Sequence, residues 1–187
     1  MLNCTTDHKF DNLANLITVS HPIEVAYMVC DYLFETDAII ASLLHDTLED
    51  TSLSYEMIAS EFSQKIADDV KDLTRITPSG KISSAEMVKQ LWIEKKYKLI
   101  LIKLFDRLHN MQTIFAKSPE KQQKIVTETL QYFLALSEIL EIPALSEILY
   151  TTCYKANKRL GLVEEMELEL DKEIKFVDAL VSENNSH

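Results

Sequence analysis

Glycine is the only residue that enters left-handed backbone conformations at no steric cost, and this chain of 187 residues has two, Gly80 and Gly161. A dinucleotide-binding βαβ fingerprint or a phosphate-cradling P-loop needs several glycines within a few residues, so both are excluded. Sandwiches and barrels built on many tight turns are excluded by the same poverty, since only Pro22, Pro78, Pro119 and Pro143 remain as further punctuation. Long helices joined by short loops are left: an all-α bundle of about eight to ten helices. With 47% apolar and 26% charged residues the chain can bury an ordinary globular core.

The formal charge of −11 argues against a DNA-binding or general nucleic-acid-binding role, because phosphate contacts need clustered Lys and Arg. One stretch reverses the sign. Lys71 to Arg107 holds nine basic residues against Asp72, Glu86, Glu94 and Asp106. This run is either a solvated helical face or a positive lip over a pocket for an anionic substrate.

Cys4, Cys30 and Cys153 are odd in number and widely spaced, and they read as reduced core residues. The start MLNCTTDHKF lacks the charged-then-apolar order of a secretory signal, and the apolar run Lys98 to Phe105 is too short to span a bilayer. The expectation is a cytoplasmic protein with no membrane partner.

Helical spacing and breakers then divide the chain. A short helix is expected around Phe10 to Ile17, and His21-Pro22 opens a second, with Ile23, Val25, Ala26, Val29, Cys30 and Leu33 on its buried face. Ala38 to Leu48 reads as a third helix, apolar nearly all round and therefore central. Ser54 starts a short one, and the segment after Ser63 runs to about Arg75. Thr77-Pro78-Ser79-Gly80 is the clearest loop. Ser84 to Tyr97 and Lys98 to Ala116 follow as helices, Pro119 opens one to about Glu141, and Pro143 opens another to about Arg159, ended by Gly161.

The stretch MELELD alternates like a strand, yet Met166, Leu170, Ile174, Val177 and Val181 recur at helical spacing. Residues 1–160 are therefore expected to form one helical domain. Residues 161–187 are expected to form an acidic amphipathic helix, packed on that domain or on a partner subunit of a homo-oligomer.

Two apolar helices contain residues that a plain core would not choose. The third ends in His45-Asp46-Thr47-Leu48-Glu49-Asp50, where helical spacing puts His45, Asp46 and Glu49 near one face and Asp50 about 100° further round. The other is LILIKLFDRLHN, in which Asp106 follows seven residues of which only Lys103 is polar. A carboxylate there requires a cation or a metal. Taken singly, Asp106 reads as an ion-pair partner of Lys103 or Arg107, and His45 as a hydrogen-bonded core histidine. Taken together, two imidazoles and two carboxylates form a mixed N/O donor set suited to Mn²⁺, Fe²⁺ or Zn²⁺.

His21-Pro22, the His45-Asp46 pair and the downstream Asp106 resemble the HD superfamily of metal-dependent phosphohydrolases. The strings HPIEVA, LLHDTLEDT and LIKLFDRLHNM, and more loosely VKDLTRI and the ETL at Glu128, resemble the hydrolase domain of the Rel/Spo alarmone synthetase/hydrolase family, in its small stand-alone form. The resemblance implies an HD-domain fold, a single Mn²⁺ on His21, His45, Asp46 and Asp106, and removal of pyrophosphate from the 3′ position of (p)ppGpp. It implies that Glu49 and Asp50 activate or position the water, and that Asn110 and Thr113 contact the nucleotide. Arg107 is expected either to neutralise phosphate or to serve as a structural ion-pair partner, and His109 to pack.

Where relatives carry a basic stretch of the type Arg-Lys-Ser-Gly-Glu-Pro-Tyr before the His-Pro pair, this chain has Asn12 to Ser20 without a basic residue, glycine, proline or tyrosine. Ile139, Glu138 and Gln112 likewise stand where the family has an arginine, a polar partner and a basic residue. Metal chemistry with an altered substrate wall leaves three readings: alarmone hydrolysis, hydrolysis of another phosphorylated nucleotide, or a catalytically weak HD module that binds and regulates.

Overall fold

The computed structural model describes residues 20–77 and 80–184. The expected Phe10 to Ile17 helix, Cys4, the stretch Asn12 to Val19 and the loop residues Pro78 and Ser79 lie outside them. The chain divides into two compact units, the first ending at Thr74 and the second beginning at Arg75.

In the first unit, helix α1 occupies residues 20–30, with Pro22 in a turn where its missing N–H costs nothing. Its buried residues Val25, Ala26 and Val29 recur at helical spacing. Helix α2 spans Thr36–Leu44, α3 spans Thr47–Asp50, α4 spans Tyr55–Glu61 and α5 spans Gln64–Leu73. The hydroxyls of Ser54 and Ser63 cap α4 and α5 by accepting from the amides of Met57 and Ile66. Helix α5 packs on α2 and α4, burying Ile66, Ala67, Val70 and Leu73.

The single helix expected over Ala38 to Leu48 is instead interrupted at His45-Asp46. Side chains take the carbonyls that a continuing helix would use: His45 Nδ1 lies 2.8 Å from the Ser42 carbonyl, and the Thr47 hydroxyl donates to that of Leu44 at 2.6 Å. The chain recovers one helical turn beyond, where the amides of Glu49 and Asp50 both donate to the Asp46 carbonyl.

The second unit opens with a two-residue antiparallel ladder, β1 (Ile76–Thr77) on β2 (Gly80–Lys81), at the expected loop. Helices α6 (Ser84–Ile93) and α7 (Tyr97–Gln112) follow, then a 3-10 turn over Ile114–Ala116. Beyond it, α8 (Pro119–Glu128), a π-turn (Thr129–Phe133) and α9 (Leu134–Ile139) run on directly, and α10 (Pro143–Leu160) and α11 (Val163–Asn184) complete the chain.

A reciprocal Ser83/Glu86 capping box starts α6, and the Ser83 amide and hydroxyl hold the Glu86 carboxyl below its usual range. Seven consecutive residues of α7, Leu99 to Phe105, are buried, which makes α7 the apolar axis of this unit. Each buried Leu or Ile there contributes roughly 1.5–3 kcal/mol by leaving water. Helices α6 and α10 pack on α7, while α11 packs on the π-turn, α9, α10 and α6. The indole N–H of Trp92 donates to the Leu180 carbonyl at 3.2 Å, tying α6 to α11.

The scarcity of glycine shows at the helix ends. Lys95, Glu141 and Gly161 all adopt left-handed backbone, with φ of 57°, 56° and 75°. At each, the next amide reaches back five residues, from Lys96 to Leu91, Ile142 to Ser137 and Leu162 to Asn157, each bond 2.9 Å long. These are Schellman ends, two of them closed without glycine.

Candidate metal centre

The first unit brings three predicted site residues together. His21 projects from the first turn of α1, and His45 and Asp46 occupy the break after α2. The two imidazole Nε2 atoms are 3.3 Å apart, with rings edge-on at 62°. Asp46 Oδ2 lies 3.0 Å from His45 Nε2 and 3.5 Å from His21 Nε2. His45 is fully buried, while His21 and Asp46 keep 21% and 32% of their side-chain surface, so the cluster has one closed and one open side.

Hydrogen bonding selects the tautomer of His45. A carbonyl can only accept, so Nδ1 donates to Ser42, and in the neutral ring Nε2 then carries a lone pair. That lone pair faces a second imidazole nitrogen and a carboxylate oxygen, three donor atoms of the kind that bind a divalent cation. Nδ1 tied to a backbone carbonyl is also the arrangement that orients metal-ligating histidines. The donor set is two nitrogens and one oxygen within 4.8 Å of one another, which fits a divalent first-row ion. Asp106 offers a further carboxylate oxygen of the same chemical class.

Glu49 and Asp50 sit on α3 just beyond Asp46, Glu49 half-buried and Asp50 exposed.

In the second unit, Asp106 lies in the buried part of α7 with both carboxylate oxygens engaged. Lys103 Nζ is 2.8 Å from Oδ2, and the Asn110 amide donates to Oδ1 at 2.7 Å and to the Asp106 carbonyl at 3.0 Å. Lys103 is thus the ion-pair partner that the sequence reading set beside Arg107. The Arg107 guanidinium turns to another side of the helix. It donates to Glu128 at 3.0 Å and to the Ser84 hydroxyl at 3.3 Å, and lies over the Phe133 ring at 4.2 Å. Thr113, at the end of α7, donates its hydroxyl to the carbonyls of His109 and Asn110.

Spacing alone did not reveal the Ser42 carbonyl, the engagement of Asp106 by Asn110, or Glu128 as the partner of Arg107. The first two are visible only as offsets of three and four residues, which every helix contains. The last joins residues 21 apart.

A family model described as an HD domain matches residues 5–142. A probable chloroplastic GTP diphosphokinase of Arabidopsis thaliana is 31% identical over 148 residues, covering 73% of this chain and 21% of that protein. A guanosine-3′,5′-bis(diphosphate) 3′-pyrophosphohydrolase of Aquifex aeolicus is 34% identical over 143 residues, covering 73% and 20%. A probable enzyme of that name from Synechocystis is 36% identical over 130 residues, covering 66% and 17%. The chain therefore spans about a fifth of the length of these curated relatives. Among solved structures, a metazoan ortholog of SpoT aligns at 22% identity with a TM-score of 0.46, over 84% of this chain and 79% of that one. Because the HD-domain model spans well over half the chain and takes in the His-Pro, His-Asp and downstream Asp motifs, this protein belongs to the HD-domain family.

Proposed function

We propose that the chain is a metal-dependent phosphohydrolase that releases pyrophosphate from the 3′ position of (p)ppGpp. In this reading His21, His45, Asp46 and Asp106 hold one Mn²⁺. The observation that carries it is the His45 ring, fully buried, with Nδ1 committed to the Ser42 carbonyl and Nε2 turned toward His21 and Asp46. A divalent cation, when bound, supplies positive charge for a phosphate oxygen and acidifies water at neutral pH.

The chain's own residues do the rest. Glu49, the less exposed of the acidic pair, accepts the proton of the attacking water, and Asp50 orients that water from the open side. Asn110 holds Asp106 and, with Thr113, faces the nucleotide. Arg107 acts through Glu128 and Ser84 on the setting of α7. The reaction consumes one water and yields GDP and pyrophosphate from ppGpp. The similarity to relatives named as 3′-pyrophosphohydrolases supports this substrate class.

The stretch Asn12 to Ser20, without a basic residue, supports a second reading in which the same chemistry acts on another phosphorylated nucleotide. No helix among the described residues is long and apolar enough to cross a membrane.

The test is incubation of the purified chain with Mn²⁺ and a panel of phosphorylated nucleotides, with products resolved by anion exchange. Release of pyrophosphate from ppGpp, lost in His45→Ala and Asp106→Ala, is expected. Turnover of a different nucleotide favours the second reading, and activity surviving both substitutions sinks the metal mechanism. Tight binding of a nucleotide without turnover replaces the enzyme reading by a regulatory one.

A further inference from the structure

Lys103 is the one polar residue among the seven buried residues Leu99 to Phe105, and its side chain is only 8% exposed. Leucine or isoleucine would bury apolar surface at that place, whereas an ammonium gives up its hydration. Its Nζ sits 2.8 Å from Asp106 Oδ2, one helical turn away, and the Asp106 side chain is itself 13% exposed. Asn110 already fixes the other oxygen, Oδ1, at 2.7 Å. Orientation of the carboxylate is therefore provided by a neutral amide, and the contribution particular to Lys103 is its charge.

We infer that Lys103 is a resident counter-cation for Asp106, which balances the carboxylate when no metal is bound and must yield Oδ2 when a divalent ion arrives. This rests on the reading of Asp106 as a metal ligand. The ammonium is a competitor built into the site: it keeps the metal-free chain folded and sets how tightly the ion is held. Two cations sharing one carboxylate oxygen repel, and in a partly buried setting that repulsion is weakly screened. Lys103 is accordingly a positioning and affinity-setting residue, with no contact to substrate required of it.

The experiment measures Mn²⁺ binding to the metal-free full-length chain by isothermal titration calorimetry, alongside melting temperatures with chelator and with saturating Mn²⁺. Lys103→Met is expected to bind Mn²⁺ about tenfold more tightly than wild type. Its metal-free form should melt lower, so that the rise in melting temperature on adding Mn²⁺ grows. Lys103→Arg keeps the cation and should bind within about threefold of wild type. If Lys103→Met does not fold by circular dichroism, Lys103→Gln carries the same expectation.

Unchanged or weaker Mn²⁺ binding in the folded neutral variant overturns the inference, provided that His45→Ala abolishes binding; the metal reading then stands without it. Absence of Mn²⁺ binding by the wild-type chain, or binding indifferent to His45→Ala, overturns the metal reading and this inference with it.

Discussion

The Nε2 atoms of His21 and His45 face each other at 3.3 Å although 24 residues separate them. The proline-tolerant first turn of α1 presents one ring, and the break after α2 presents the other. That break is made by His45 itself, whose Nδ1 takes the Ser42 carbonyl. The same hydrogen bond that interrupts the helix aims the ligand nitrogen.

His45→Ala should therefore cost two separable quantities. Loss of a fully buried ring and its hydrogen bond should lower stability by about 1–3 kcal/mol, read by urea denaturation of the metal-free protein. Mn²⁺ affinity should fall by at least about 100-fold, read by calorimetry. A stability loss with unaltered affinity would identify His45 as a packing residue only.

Arg107 and Glu128 form a partly buried pair, with side chains 10% and 22% exposed. Arg107→Met should destabilise by about 3 kcal/mol, because the Glu128 carboxylate loses its cation. Combining it with Glu128→Met should restore more than half of that loss in urea melts. If Arg107→Met folds as stably as wild type and only raises KM for the nucleotide, Arg107 is a phosphate contact rather than a structural one.

Lys95 and Glu141 hold left-handed backbone, a conformation that costs a side chain of L chirality roughly 1–2 kcal/mol, part of which glycine forfeits through its freedom in the unfolded chain. Lys95→Gly and Glu141→Gly should each raise stability by about 0.5–1 kcal/mol. Gly161→Ala should lower it by about 1 kcal/mol, through backbone strain alone, since an added Cβ meets nothing within 4 Å. Calorimetric melting of the three variants checks the set, and a stabilising Gly161→Ala would contradict it.

Burial raises the Cys153 thiol from an ordinary 9.0 to about 12, the positive charge of Arg107 acting weakly in the other direction. A raised acid favours the folded state while neutral, so its contribution is complete below pH 9 and is lost as pH rises toward 12. At pH 8, iodoacetamide should label the half-buried Cys30 in the native protein and Cys153 only after unfolding, as mapped by mass spectrometry. The stability advantage of wild type over Cys153→Ala should narrow above pH 9. Native labelling of Cys153 would show that its surroundings open.

Local chemistry made much of this protein legible in its sequence. Pro119 and Pro143 opened helices and Gly161 closed one, because each acts through its own backbone. The Ser83/Glu86 capping box was equally local and could have been read from its spacing. The histidines and aspartates of the HD motifs were likewise conspicuous, being costly residues in apolar runs. Tertiary structure decided what could not be local: the meeting of His21 with His45 and the turning of Arg107 to Glu128. It also decided that Lys95 and Glu141 would take a glycine's conformation. Residue types set which groups need partners, and packing chooses among the partners, because a buried charge or donor is stable only where the fold brings its complement within reach.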